Sequence, residues 1–168
     1  MAFGTSSKIF SAFIHDSVAK TGNASLSSAT AKVALYNDTI TPNQLVTSAN
    51  SSYGAGVWTA SSSPNLVDTG TGAPAGWPYV GRPLAWGSAT KLTTYADATL
   101  KYDADDTVSA SATTTITNAY GCLVYDDAAT TTVDQAFAYI SFGGSPQTVS
   151  LGTFTIVWAG TGILSIAM

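Results

Sequence analysis

From residue 91 onward the chain breaks into short β-favouring runs separated by turn residues every eight to twelve positions. The runs are "KLTTYAD", "TLKYDADD", "TVSASATTTIT", "AYGCLVYDD", "QAFAYISFGG", "GTFTIVWAG" and "GILSIAM". The separators are Asp105–Asp106, Asp126–Asp127, Gly143–Gly144–Ser145–Pro146 and Gly160–Thr161–Gly162. Even spacing of this kind predicts an antiparallel sandwich or barrel. In "TFTIVW" strict alternation puts Phe154, Ile156 and Trp158 on one face and Thr153, Thr155 and Val157 on the other. Such a strand lies in an antiparallel sheet covered on one side. The stretch "FTIVWAGTGILSIA" reads as a terminal hairpin closed by two glycines.

Composition narrows the fold further. Charged residues make up 10% of the 168 residues, against about 25% in ordinary soluble domains. There is no Glu, one Arg (Arg82) and one His (His15), and Ser, Thr, Gly and Ala supply the polarity and bulk instead. Without Glu, long exposed helices laced with Glu–Lys pairs are excluded. At this length one domain is expected, spanning 1–168, and folding buries roughly 70% of the surface of the unfolded chain. The expected fold is all-β: an antiparallel β-sandwich, jelly-roll-like, with an N-terminal arm or short helix over 1–22 and one long Gly/Pro-rich loop over 61–82.

Mean hydropathy is +0.20, yet no apolar stretch reaches the 18 residues of a membrane span. The N-terminus has no secretory-leader pattern, so neither a leader nor a membrane is expected. A chain this apolar and this sparsely charged shares surface with other copies or has a well-filled core. The net charge of −4, with no run of Lys and Arg, argues against nucleic acid as a partner.

Along the first half, "KIFSAFIHDSVAK" places Ile9, Phe10, Phe13, Ile14 and Val18 near one helical face, or else starts a strand. "AKVALYN" reads as a buried strand, and Asn37–Asp38 and Thr41–Pro42–Asn43 after it as turns. Residues 42–53 form a loop or one helical turn, and "GVWTA" a short strand. Between 61 and 82 the chain reads "SSSPNLVDTGTGAPAGWPYVGR", with "NLVDTG" its one strand-like piece. A loop of this length is functional or disordered. Its large aromatics argue for packing or binding.

The chemical inventory is thin. With one His, one Cys and no Glu, neither a His-rich metal site nor a Cys–His dyad with its own orienter is expected, and no Gly-x-Ser-x-Gly elbow occurs. Cys122, between Tyr120–Gly121 and Leu123–Val124, reads as a small buried hydrophobe. Asp103, Asp105 and Asp106 could offer oxygens to Ca²⁺, but they lack the glycine and closing glutamate of an EF-hand and are equally turn residues. No catalytic residue and no cofactor are expected. Aromatics remain: Trp77, Tyr79 and Trp86, with Arg82 among them and Phe10 and Phe13 near the N-terminus, are candidate interface anchors. Core packing is the competing reading for the tryptophans.

The order of motifs carries a resemblance. "KVALYNDTITPNQ", "GAPAGWPYVGRPL", "YDADDTVSAS", "GCLVYDD", "ISFGG" and "GTFTIVWAGTGILSI" together resemble a family of small structural proteins of tailed-bacteriophage virions, over residues 8–168. The loop "GWPYVGRPL" departs from that family's double glycine, since Val80 and Arg82 flank a single Gly81. The resemblance implies a non-enzymatic head decoration (cement) protein on the outer surface of the capsid. Its implied partners are the major capsid protein and, from symmetry, further copies of itself as a homotrimer. The alternative it leaves open is a minor tail or receptor-binding protein, with the aromatics serving as a carbohydrate platform.

Overall fold

The computed structural model describes residues 3–25, 30–60, 64–67, 76–78, 80–84, 94–96, 99–160 and 162–167. In chain order the elements are β1 (Lys8–Ile9), α1 (Ser11–Ala19), β2 (Ala31–Tyr36), α2 (Ser48–Ser51), β3 (Leu66–Val67), β4 (Arg82–Pro83), β5 (Thr94–Ala96), β6 (Thr99–Tyr102), β7 (Thr107–Val108), β8 (Thr114–Ala119), β9 (Gly121–Asp126), β10 (Ala136–Ser141), β11 (Gln147–Gly152), β12 (Thr155–Ile156) and β13 (Leu164–Ala167). Every strand pair among the described residues is antiparallel. Among the described residues the fold is all-β apart from two short helices.

The C-terminal half is one long hairpin. Residues 99–126 run out, and residues 136–167 run back beside them in four paired blocks: β9–β10, β8–β11, β7–β12 and β6–β13. The register slips and then recovers. From Tyr102 to Thr107 the outgoing strand advances five positions, while its partner covers eight, from Leu164 to Ile156. From Val108 to Thr114 it advances six, while its partner covers three, from Thr155 to Gly152. Three surplus residues on one strand are thus offset by three on the other.

Side chains fasten the irregular part. The Ser109 N–H donates to the Phe154 carbonyl at 2.8 Å, and the Ser109 Oγ accepts from the Phe154 N–H at 3.1 Å. Trp158 donates its indole Nε1–H to Thr107 Oγ1 at 3.1 Å and its backbone N–H to Asp106 Oδ1 at 3.2 Å. Phe154, Ile156 and Trp158 are buried and Thr153, Thr155 and Val157 exposed, as their alternation predicts. The expected terminal hairpin is corrected. β12 and β13 do not pair with each other; both follow the same returning strand. The glycines after Trp158 therefore make a surplus excursion in one strand, where the sequence suggested a reversal.

The main sheet has the order β1–β10–β9–β2–β3, with β4 also paired to β2. All of β9 and all of β2 except half-buried Lys32 are buried, because each has a strand on both sides and cover on both faces. That accounts for the near-continuous apolar reading of "AKVALY" and "GCLVY". Burying each Val, Leu or Tyr there contributes about 1.5–3 kcal/mol.

The N-terminal segment satisfies both of its readings. It pairs briefly as β1 with β10, then turns into α1, which ends at Lys20 in the left-handed conformation, φ 55°. Phe13 packs edge-on to Phe137 with ring centres 5.0 Å apart. Phe10 is completely buried and meets Trp58 edge-on at 5.9 Å. Phe3 and Tyr36 approach the same indole at 6.1 and 5.1 Å. Phe10 and Phe13 are therefore core residues of the chain itself, which corrects their assignment as interface anchors. Ile14 and Val18, on the same expected apolar face, are exposed instead.

Candidate functional site

Two described parts of the expected contact loop over 61–82 lie along β2. β3 pairs with the Leu35–Tyr36 end of β2, and β4 with the Lys32–Val33 end. Of "NLVDTG", Leu66–Val67 form a strand as expected, and residues 68–70 lie outside the described residues. Gly81 has φ +77°, and a Cβ there would overlap the Val33 carbonyl; a glycine is required for this close approach. Gly76 is pressed against the Thr114 side chain in the same way, and its carbonyl accepts from the Ala110 N–H at 2.7 Å.

Trp77 follows from that placement. It is fully buried, donates Nε1–H to the Val33 carbonyl at 3.2 Å and meets Phe154 edge-on at 5.5 Å. It is a core side chain, so the expectation of an exposed anchor at Trp77 is corrected. Gly76, which together with Pro78 suggested an exposed loop tip, lets the backbone lie against Thr114, and the Pro78 carbonyl accepts from the Gly81 N–H at 2.8 Å. Tyr79 and Trp86 lie outside the described residues. Arg82 is half-buried and donates Nε–H to the Val108 carbonyl at 3.0 Å, which ties β4 to β7.

The acidic turn does not gather a cation site. Asp103 pairs with Lys101 at 3.0 Å, and Asp106 accepts from Trp158. Among the described residues no group of three His, Cys or carboxylate side chains could hold a metal ion. Asp103, Asp105 and Asp106 therefore do not form the calcium-binding cluster considered from sequence.

Two other aspartates have roles that the sequence did not reveal. Asp126, buried at the end of β9, accepts from the Ser25 N–H at 3.0 Å, the Thr30 hydroxyl at 2.9 Å and the Ala128 N–H at 3.1 Å. Asp16 joins three segments. Its carboxylate accepts from the Ser48 hydroxyl at 2.6 Å, Gln135 Nε2–H at 2.8 Å and the Thr21 hydroxyl at 3.2 Å, and meets His15 Nδ1 at 3.1 Å. The Ser48 bond holds the Asp16 carboxyl below the usual range; His15, Gln135 and Thr21 add to this, and burial opposes it. A lowered carboxyl stabilises the fold fully above its unfolded value, about 3.9, and loses that contribution as pH falls through the folded value. Asp16→Asn is expected to cost about 1–3 kcal/mol near neutral pH. The gap from the unaltered protein should close in acid. Urea titrations at neutral and strongly acidic pH check this.

Cys122 is fully buried, and burial pushes its thiol far above the ordinary range, so the sulfur is unreactive in the folded chain. The aromatics give no stacking platform among the described residues. Trp58 backs onto a cleft of about 420 Å³ lined by Thr41, Asn43, Asn50 and Val57, but its ring has no exposed surface. Trp77 and Trp158 are also buried. No helix among the described residues is long and apolar enough to cross a membrane.

What the fold exposes instead is the returning strand of the long hairpin. Leu151 is 75% and Val157 72% exposed, and Val108, across from Thr155, is 40% exposed. From Gln147 to Val157 a straight strand would span about 33 Å. Yet Gln147 and Val157 line one cleft of about 330 Å³ with Phe142, Phe154 and Ile156. The strand therefore bends sharply between them, and Leu151, at φ 50°, marks the place. This bent, apolar-dotted strand is the candidate contact surface. No family model, no curated protein and no solved structure matches the chain.

Proposed function

We propose that the chain is a non-enzymatic structural protein of a tailed-phage virion, a decoration protein that binds the outer head surface and stabilises the shell. The observation that carries this reading is how the polar groups are used. Asp16, Asp106, Asp126, Ser109 and Gln135 all serve as ties between segments, while Leu151 and Val157 stand exposed along one bent strand. A rigid scaffold with a contact surface is what a cement protein needs. The motif order over residues 8–168 supplies the link to phage virions.

The finer architecture proposed is a single jelly-roll-like β-sandwich. Its support is the long hairpin, which leaves the main sheet near Tyr120 and Phe142 and continues as a separate ribbon. Trp77, bonded to β2 and packed on Phe154, links the two layers. The proposed partners are the major capsid protein and other copies of the chain, arranged as homotrimers at the local three-fold positions. Many weak contacts per oligomer then add up by multivalency.

Copy number tests the assignment. A head decoration protein fills every equivalent site, so its band on a stained gel of purified virions should be close to equimolar with the capsid protein. A trace band would place the chain in the tail and overturn the decoration reading.

A further inference from the structure

Among the described residues no strand covers the outer edge of the returning strand beyond β10. β10 is covered on that side by β1, but among the described residues β11, β12 and β13 pair only with the outgoing strand. On the outgoing side, β9 has β2, β6 has β5, and β8 and β7 lie against β3 and β4. Exposed edges template the pairing of further strands, and proteins guard them with Lys, Pro or bulges. The edges of the main sheet carry such guards: Lys8 in β1, and Arg82 and Pro83 in β4. The returning strand has neither charge nor proline from Gln147 to the last residue. Its bulges lie near Val149 and Gly152 and leave Gln147, Thr148, Ser150 and Leu151 exposed.

We propose that β11 is an interface between copies of this chain, in which β11 of one protomer pairs antiparallel with β11 of a second about a two-fold axis. Charge favours this occupant. A two-fold sets the same strand against itself, so any charge on it would meet its like; β11 has none, although the chain carries −4. Its amide and hydroxyl side chains both donate and accept, so groups left over from the Thr148–Asn118 and Gln147–Ser145 bonds can meet their own copies. A charged peptide would find no ionic partner on this edge. The contact is separate from any three-fold one, so on a shell it would join neighbouring oligomers edge to edge.

The buried, unreactive Cys122 makes engineered cysteines clean reporters. Thr148→Cys and Ser150→Cys, oxidised in turn, should give disulfide dimers, mainly at the position nearest the axis. Val18→Cys, on exposed α1, should give far less. In sedimentation the unaltered protein should dimerise reversibly. Leu151→Lys or Thr148→Lys should weaken that association by about tenfold, with unchanged circular dichroism. A monomer at all concentrations, crosslinking no better than at Val18, or an association indifferent to both lysines would overturn the proposal. These measurements use free protein, so they fail independently of the virion stoichiometry.

Discussion

Trp77→Ala is expected to destabilise the folded protein by about 3–5 kcal/mol, the range for deleting a buried aromatic ring. The ring is fully enclosed, bonds the Val33 carbonyl of β2 and meets Phe154 of the returning strand edge-on. Its removal opens a cavity where the two halves of the chain meet. A loss of this size is a large share of a typical domain's total stability. Urea unfolding followed by tryptophan fluorescence and circular dichroism measures it. A change below about 1 kcal/mol, with occupancy on heads lost, would return Trp77 to the role of surface anchor.

Asp126→Ala should cost about 2–4 kcal/mol, because three donors lose their acceptor in a buried place. The carboxylate ties the tip of the long hairpin, at Ala128, to Ser25 and Thr30 just ahead of β2. Asp126→Asn keeps the shape and one carbonyl acceptor, so its loss should be smaller. Equal losses in the two variants, read from urea midpoints at constant slope, would show that the retained shape and single carbonyl acceptor preserve nothing and that only the full carboxylate serves this site.

The all-β class was legible because alternation and turn residues report local geometry. Phe154, Ile156 and Trp158 lie inside, as their spacing requires, and "AKVALY" is a buried strand. Strand partnership was not legible. The glycines at 160 and 162 look like a hairpin turn, yet the strand runs on past them, and only the pairing with Tyr102 and Thr107 reveals this. Trp77 misled for a related reason. Glycine and proline beside an aromatic usually mark a surface loop, whereas here Gly76 and Gly81 let the backbone lie directly against Thr114 and Val33. The hubs at Asp16 and Asp126 join residues more than 95 positions apart, a distance no short motif can encode.

The order β1–β10–β9–β2 also sets a timetable for synthesis. Tyr36 pairs with Gly121, 85 positions further on, and Lys8 with Tyr139. At 5–20 residues per second the ribosome takes roughly 4–17 s to supply the partner of β2. For that interval the edge of this six-residue, mostly apolar strand that β9 takes stays bare, while β3 and β4 emerge sooner to pair with its other edge. The hairpin tip between Asp126 and Ala136, by contrast, closes as soon as it emerges, since its strands are neighbours in sequence. Because pairs near the tip close the shortest loops, zipping from the tip is the expected order, with β2 and β1 docking afterwards. A fast-translated message shortens the wait, and a slow one lengthens the time in which nascent chains can pair with each other through β2.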